Sequence, residues 1–272
     1  MPDVSAILTC HGEDVLLGPT MNSFVAAISA AERRKLSVEP IIVMDGATPT
    51  TELMVEENSR KLFGGACQVI KTKHGDPGQT RNSGVAVAGG EFVTFLDGDD
   101  LWGENWITAC YDFYGTLGIQ VVLQSEINVV FGKSRTLWVH SNSLSPDFQL
   151  DDLLVQNYWD AMAFSKTEIY RKYPFDPIDL KTGYGHEDWH WSCETMAAGI
   201  HHVPVPGTVH FKRARKGSQM SLCDSADVVL RPNPLMTFKG LDAAKKKLKA
   251  ERKKVDGSYL GRLGFTKLTE SV

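Results

Sequence analysis

The chain has 272 residues, 42% of them hydrophobic and 23% charged, the balance of a globular protein with room for a sizeable core. Seven basic residues against one acid between Lys245 and Lys254 give that segment +6 and leave −10 for the rest of a chain whose net charge is −4; so acidic a body argues against a nucleic-acid groove. No apolar run reaches the roughly 18 residues of a membrane span, no basic-then-apolar leader follows Met1, and five scattered cysteines without a CxxC pair support neither a disulfide framework nor a structural zinc site. A cytoplasmic protein is the expectation.

In chain order, Val4 to Thr9 is a short apolar run that predicts a strand, and Met21 to Ala31 recurs at helical spacing. Pro40 to Asp45 predicts a second strand, Thr51 to Phe63 a helix, and Cys67 to Lys71 a third strand. Gly78 to Gly84 opens a small-residue helix, and Glu91 to Leu96 is a fourth strand. The alternation predicts an α/β fold with a mainly parallel central sheet flanked by helices, whose ligands sit beyond the strand carboxyl ends. Asp45 and Asp97 both stand at such ends. After Gly118 the pattern is less regular. Strands are expected at Gln120 to Phe131 and Arg135 to His140, in antiparallel fashion. Helices are expected at Lys166 to Tyr173 and Glu187 to Ala198, and a strand at Thr208 to Lys212 after a turn at Pro204-Val-Pro-Gly207.

The fourth strand ends in Asp97-Gly-Asp-Asp100. Carboxylates so crowded repel one another, and a hard divalent cation, Mg²⁺ or Mn²⁺, held by one or two of them and completed by phosphate oxygens, relieves the repulsion. Helix capping by Asp97 and Asp100 is the alternative. The order of "IIVMDGAT" at Ile41, "GQTRNSG" at Gly78, "GGEFVTFLDGDD" at Gly89 and "GYGHEDWHW" at Gly183 resembles a family 2 glycosyltransferase of the GT-A (Rossmann-like) fold, over roughly Val4 to Ser221. The resemblance implies a metal-dependent, inverting enzyme that takes a sugar from a nucleoside-diphosphate sugar, UDP being the commonest nucleotide, with dTDP and GDP as alternatives. It implies that Thr9 flanks the nucleotide, Asp45 meets the base, Asp97 faces the nucleotide-sugar and Asp99 is the main metal ligand. Arg81 would organise the nucleotide side, or form a structural ion pair with an acidic-turn aspartate.

Sugar transfer to a hydroxyl needs a carboxylate on the acceptor side to take the proton. By the resemblance Asp188 is that base, with Glu187 positioning the acceptor or the loop; stabilisation of a helix N-terminus is the other reading of both. The same letters spell His186-Glu187-Asp188-Trp189-His190, a literal HExxH, which keeps a zinc hydrolase as an alternative, beside a non-catalytic carbohydrate-binding protein. Further on, "HFKRARKGSQMS" makes His210 a candidate metal ligand, and Arg213, Arg215 and Ser218 candidate diphosphate contacts. Tyr184 and Trp189 are the aromatic candidates for the acceptor sugar. The Gln-x-x-Arg-Trp motif of processive relatives is missing, which argues against a polymerising synthase.

The domain expectation is one catalytic domain over 1–240, with a nucleotide-sugar half at 1–117 and an acceptor half at 118–240, then a basic helix and tail at 241–272. That tail is either solvated or, beside a lipid-linked rather than a free glycan acceptor, a peripheral contact with the inner face of the membrane. A role in polysaccharide or glycoconjugate synthesis follows from the resemblance.

Overall fold

In the computed structural model, which describes residues 1–215 and 217–255, the first apolar run forms β1 (Val4–Cys10), buried along its whole length. It pairs in parallel with β2 (Val38–Asp45) on one side and β4 (Phe92–Asp97) on the other; β3 (Gln68–Thr72) adds in parallel beyond β2. Lys216 and the end of the expected tail, 256–272, lie outside the described residues.

Because successive residues of a strand face opposite sides, β1 serves two cores. Ala6 and Leu8 pack with Phe24, Ile42, Leu96 and Trp106, in the cluster to which α1 (Leu17–Arg33), α2 (Pro49–Phe63) and α4 (Trp106–Leu117) contribute. Ile7 packs with Val43, Phe95, Tyr170, Phe175 and Trp191, in the cluster of α3 (Pro77–Val87), α5 (Thr167–Lys172) and α6 (Glu187–Ala198). Helix starts follow local chemistry. Thr48 caps α2 by accepting from the Thr51 amide, Asp76 caps α3 by accepting from the Gln79 amide, and each cap precedes a proline at the first helical position.

The second half adds β5 (Leu101–Trp102), β6 (Val121–Gly132), β7 (Thr136–Val139), β8 (Phe164–Lys166) and β9 (His201–Ala214). β6 and β7 form the expected antiparallel hairpin, with Ile127 opposite Val139. β8 lies antiparallel between β4 and β6, and the sheet runs β3-β2-β1-β4-β8-β6-β9-β5. The expected turn at Pro204-Val-Pro-Gly207 is instead the irregular middle of β9. That strand advances from Val205 to Val209 while β6 advances only from Ser125 to Ile127, and both flanks stay in parallel register. Pro206 falls in this expanded bulge, where no ladder donor is needed from it.

The chain ends with α7 (Gln219–Ser225) and α8 (Phe238–Arg252). α8 carries the basic run but is not solvated all round. Ala244 and Leu248 are buried with Met196 and Ala197 of α6, Lys247 Nζ donates to the Ala197 carbonyl at 3.1 Å, and His201 Nε2 lies 2.9 Å from the Leu248 carbonyl. No helix among the described residues is long and apolar enough to cross a membrane.

β1 and β4 meet at their beginnings over Gly90. A Cβ there would stand 2.5 Å from the Ser5 nitrogen and 2.8 Å from the Val4 carbonyl carbon, so backbone rather than a yielding side chain forbids it. Gly90→Ala is expected to cost about 1–3 kcal/mol, read as a lower urea midpoint at unchanged slope.

Candidate active site

The carboxyl ends of β1, β2 and β4 share one edge, with Thr9 opposite both Val43 and Asp97 in the ladders. Thr9 Oγ1 donates to Asp97 Oδ1 at 3.1 Å. Arg81, from α3 and only 3% exposed, is the central side chain: its Nη2 donates to both Asp97 oxygens, at 2.8 and 2.9 Å, and its Nη1 donates to Glu187 Oε1 at 3.0 Å. One guanidinium thus joins the acidic turn to the first turn of α6. The ion-pair reading of Arg81 is what the structure shows.

The three carboxylates of the acidic turn have separate partners. Asp97 feels the cost of burial, but Arg81 and Lys212 outweigh it and hold its carboxyl below the usual range. Asp99 accepts from Arg215 Nε at 2.5 Å, while its backbone carbonyl accepts from Arg213 Nε at 3.1 Å. Asp100 is buried, accepts from the Arg213 amide at 2.6 Å, and is pushed well up by burial. Arg215 also faces Glu13, at 3.8 Å. Arg213 stacks over Phe131, and Ser218 caps α7 through the Ser221 amide.

Asp45 serves the loop between β3 and α3. It accepts from the amides of His74, Gly75 and Asp76 and from Thr72 Oγ1, and those bonds outweigh burial to hold it below its ordinary value. A base contact by Asp45 would compete with these partners.

On the acceptor side, Glu187 and Asp188 open α6 behind His186, whose φ of 55° is the left-handed region that non-glycine residues avoid. Gly185 precedes it because a Cβ there would run into Val228 and stand 2.9 Å from Cys223 Sγ. Burial and then the neighbouring Asp188 push Glu187 up to about 7, against the pull of Arg81. Asp188 is half-buried and is raised by burial, opposed first by Lys212 and then by Arg81. Tyr184 lies under the Arg231 guanidinium, 5.0 Å from its ring centroid. Trp189 is anchored inward through Nε1 to the Leu153 carbonyl at 2.7 Å, which leaves it supporting α6 more than offering a stacking face.

His210 is 0% exposed, sits edge-on to Trp106 at 4.4 Å, and is pushed down to about 3 by burial. Among the described residues no group of three His, Cys, Asp or Glu is arranged to hold a metal. The same holds for the HExxH reading: Glu187 is committed to Arg81, and His190, buried, faces Asp176 at 3.3 Å. For a divalent cation the donor chemistry fits in one form. Asp99, whose partner Arg215 is 36% exposed, is the residue that would hold such a cation, through a hard carboxylate oxygen.

Sequence reasoning missed Lys212, Asp160 and Glu13. Lys212 lay within a segment already singled out for its arginines; Asp160 and Glu13 stand in loops with no motif to mark them.

Residues 5–178 match the model of glycosyl transferase family 2, more than half of the chain. The chain belongs to that family. It is 23% identical over 183 residues to an uncharacterized glycosyltransferase of Nostoc sp., covering 64% of this chain and 54% of that protein, and 29% identical over 137 residues to the glycosyltransferase GlyG of Streptococcus pneumoniae, covering 47% and 41%. A third relative, at 27% identity over 82 residues, is the minor teichoic acid biosynthesis protein GgaA of Bacillus subtilis, with 29% and 18% covered. The chain thus spans about half or less of the length of these relatives. Among solved structures, S. aureus TarS 1-349 in complex with UDP-GlcNAc superposes with a TM-score of 0.61 at 17% identity, over 90% of this chain and 66% of that one. The mannosyltransferase PcManGT of Pyrobaculum calidifontis, in complex with GDP-Man and Mn²⁺, superposes at 0.58 and 15% identity, over 93% and 76%. These likenesses establish the GT-A fold, in keeping with membership of glycosyl transferase family 2.

A glutamate raised to about 7 adds stability that is complete below its unfolded value near 4.5 and is lost as pH rises through about 7. Denaturant midpoints are therefore expected to fall between pH 4.5 and 7 by more in the native chain than in Glu187→Gln, in which that group no longer titrates.

Proposed function

We propose that this enzyme transfers a sugar from a nucleoside-diphosphate sugar to a hydroxyl of a glycan or lipid-linked acceptor, by a single displacement with inversion. The observation that carries the reading is Arg81, which holds Asp97 of the acidic turn and Glu187 of the acceptor motif on one guanidinium although 106 residues separate Arg81 and Glu187. The donor-side and acceptor-side motifs therefore meet at one place in the fold. Residues 1–117 are assigned to the donor and 118–240 to the acceptor.

In that cleft Thr9 and Asp97 orient the donor, while Arg213 and Arg215 stand where a diphosphate's charge would be met. Asp188 takes the proton of the acceptor hydroxyl as its oxygen bonds to the anomeric carbon. The bond from that carbon to the diphosphate oxygen breaks, and its electron pair leaves with the nucleoside diphosphate. A Mg²⁺ or Mn²⁺ at Asp99 would supply further stabilisation of that charge. TarS and PcManGT were solved with UDP-GlcNAc and with GDP-Man and Mn²⁺, which supports a nucleotide-sugar donor and a divalent cation without choosing between nucleotides. The name of GgaA supports a cell-wall or polysaccharide product.

Peripheral membrane contact is part of this reading when the acceptor is lipid-linked. Phe238 stands 95% exposed at the start of α8, followed on the exposed side by Lys239, Lys246, Lys249 and Lys253, an aromatic anchor beside positive charge. Co-sedimentation with phosphatidylglycerol vesicles, absent with phosphatidylcholine and weakened in Phe238→Ser, is the expected result.

Thermal shift against UDP, GDP and dTDP, each with and without Mn²⁺, identifies nucleotide and cation together. Asp188→Asn is expected to keep the nucleotide-dependent shift and to lose about 10²–10⁴-fold in transfer rate. Undiminished transfer by that variant would remove the base assignment.

A further inference from the structure

Glu13 lies in the loop between β1 and α1, against the acidic turn: a Cβ on Gly98 would stand 3.0 Å from both its Cγ and its Cδ. Its side chain is only 6% exposed. One oxygen, Oε2, accepts from the His11 amide at 2.6 Å, which fixes the carboxylate in place. The other, Oε1, faces Arg215 Nη2 at 3.8 Å, close enough for charge attraction and too far for a hydrogen bond. Glu13 is thus a buried anion whose second oxygen is short of a partner, an arrangement that is costly unless a cation completes it.

Arg215 is that cation, but its closer bond goes elsewhere. Its Nε donates to Asp99 Oδ2 at 2.5 Å, so two carboxylates share one guanidinium unequally. Asp99 is also the residue that would hold a divalent cation, and a metal ion there would compete with the guanidinium for one carboxylate. Once displaced, Arg215 needs another anion. Asp97 is taken by Arg81 and Thr9 and Asp100 by the Arg213 amide, whereas Glu13 already faces it. Closing 3.8 Å to the roughly 2.8 Å of a charge-assisted hydrogen bond asks the guanidinium to move by about 1 Å, within the freedom of a side chain 36% exposed.

We propose that Glu13 is the positioning residue of Arg215: with Asp99 given over to a divalent cation, the guanidinium shifts onto Glu13 and stays beside the acidic turn, its remaining N–H groups free for the donor's diphosphate. This rests on the reading of Asp99 as the cation's ligand. The pair works as an exchange of partners. Without Glu13, the guanidinium has no second anion at the turn and competes with the cation for Asp99. Without Arg215 there is nothing to exchange, and the effect of Glu13 on cation affinity disappears.

The test is Mn²⁺ binding to the full chain without nucleotide, read from the loss of the free-ion EPR signal, so that no sugar transfer is needed. Glu13→Gln keeps an acceptor for the His11 amide and is expected to melt like the native chain, yet to bind Mn²⁺ about fivefold or more weakly. Glu13→Asp, which keeps the charge, is expected to lose less. Arg215→Met is expected to bind Mn²⁺ more tightly than the native chain, and the double variant Arg215→Met/Glu13→Gln as tightly as Arg215→Met alone. A Glu13→Gln penalty of the same size with and without Arg215 makes Glu13 a plain nearby charge and overturns the proposal. So does Mn²⁺ affinity that is unmoved in Glu13→Gln. Binding that is unaltered in Asp99→Asn, or missing from all of these chains, removes instead the reading of Asp99 as the ligand, and the proposal with it.

Discussion

An arginine with almost no exposed surface must find anions, and two carboxylates this close to each other must find a cation. Arg81 meets both demands at once. Its planar fork reaches Asp97 through one nitrogen and Glu187 through the other, a span that a lysine ammonium could not cover with comparable geometry. The desolvation of Arg81 is offset only while both carboxylates are present, so the interaction fixes the start of α6 against the end of β4. Everything at the cleft inherits that spacing. The base candidate Asp188 is one residue from Glu187, and the metal candidate Asp99 is two residues from Asp97.

β9 supplies the opposing wall. Its residues pass parallel to β6 and then reach over the acidic turn, where the Arg213 amide binds Asp100 and the Arg215 side chain binds Asp99. The bulge between Val205 and Val209 matters here, because it lets one strand hold register with β6 on both flanks while re-aiming its second part. Behind it runs a buried polar seam of Asn128, His140 and Asp160, in which Asn128 Nδ2 bonds Asp160 and His140 Nδ1 lies 2.8 Å from the Ser125 carbonyl. Such a seam is expensive unless satisfied, and it holds Asp160, which pairs with Lys212 at 3.5 Å.

How much of this the sequence disclosed depends on whether an interaction is local. The parallel half was legible because buried parallel strands read as unbroken apolar runs and their helices start with capping residues and prolines, as at Thr48-Pro49 and Asp76-Pro77. α6 was legible to the residue. β5 and β8, two and three residues long, carry no periodicity to find, and they exist only because neighbouring strands offer an edge. The dense prolines of 204–207 signalled a turn where the ladder only bulges. Among site residues, the acidic turn and Glu187-Asp188 stand in motifs, and the partner of Arg81 was foreseeable from charge. Asp160 and Lys212 meet through a loop after a short 3-10 helix and a strand 50 residues on, a proximity that no local pattern encodes. His210 has a residue type that suits a ligand, and what the sequence did not disclose is its setting: pairing of β5 with β9 places it opposite Trp102, with the Trp106 ring edge-on to it.

The negative charge collected at the end of β4 is therefore not one feature but three. Asp97 is saturated by Arg81 and Thr9, and Asp100 is buried and read by a backbone amide, so both shape the turn before any ligand arrives. Asp99 differs because its partner, Arg215, is a third exposed and comes from the far end of β9. The pair is part-buried, with Asp99 14% exposed, and in the proposed reading a diphosphate would offer that guanidinium a bidentate partner. The turn thus holds Asp97 and Asp100 through partners inside the fold and leaves Asp99 to one nearer the surface, the division that the proposed binding of a diphosphate leaving group would use.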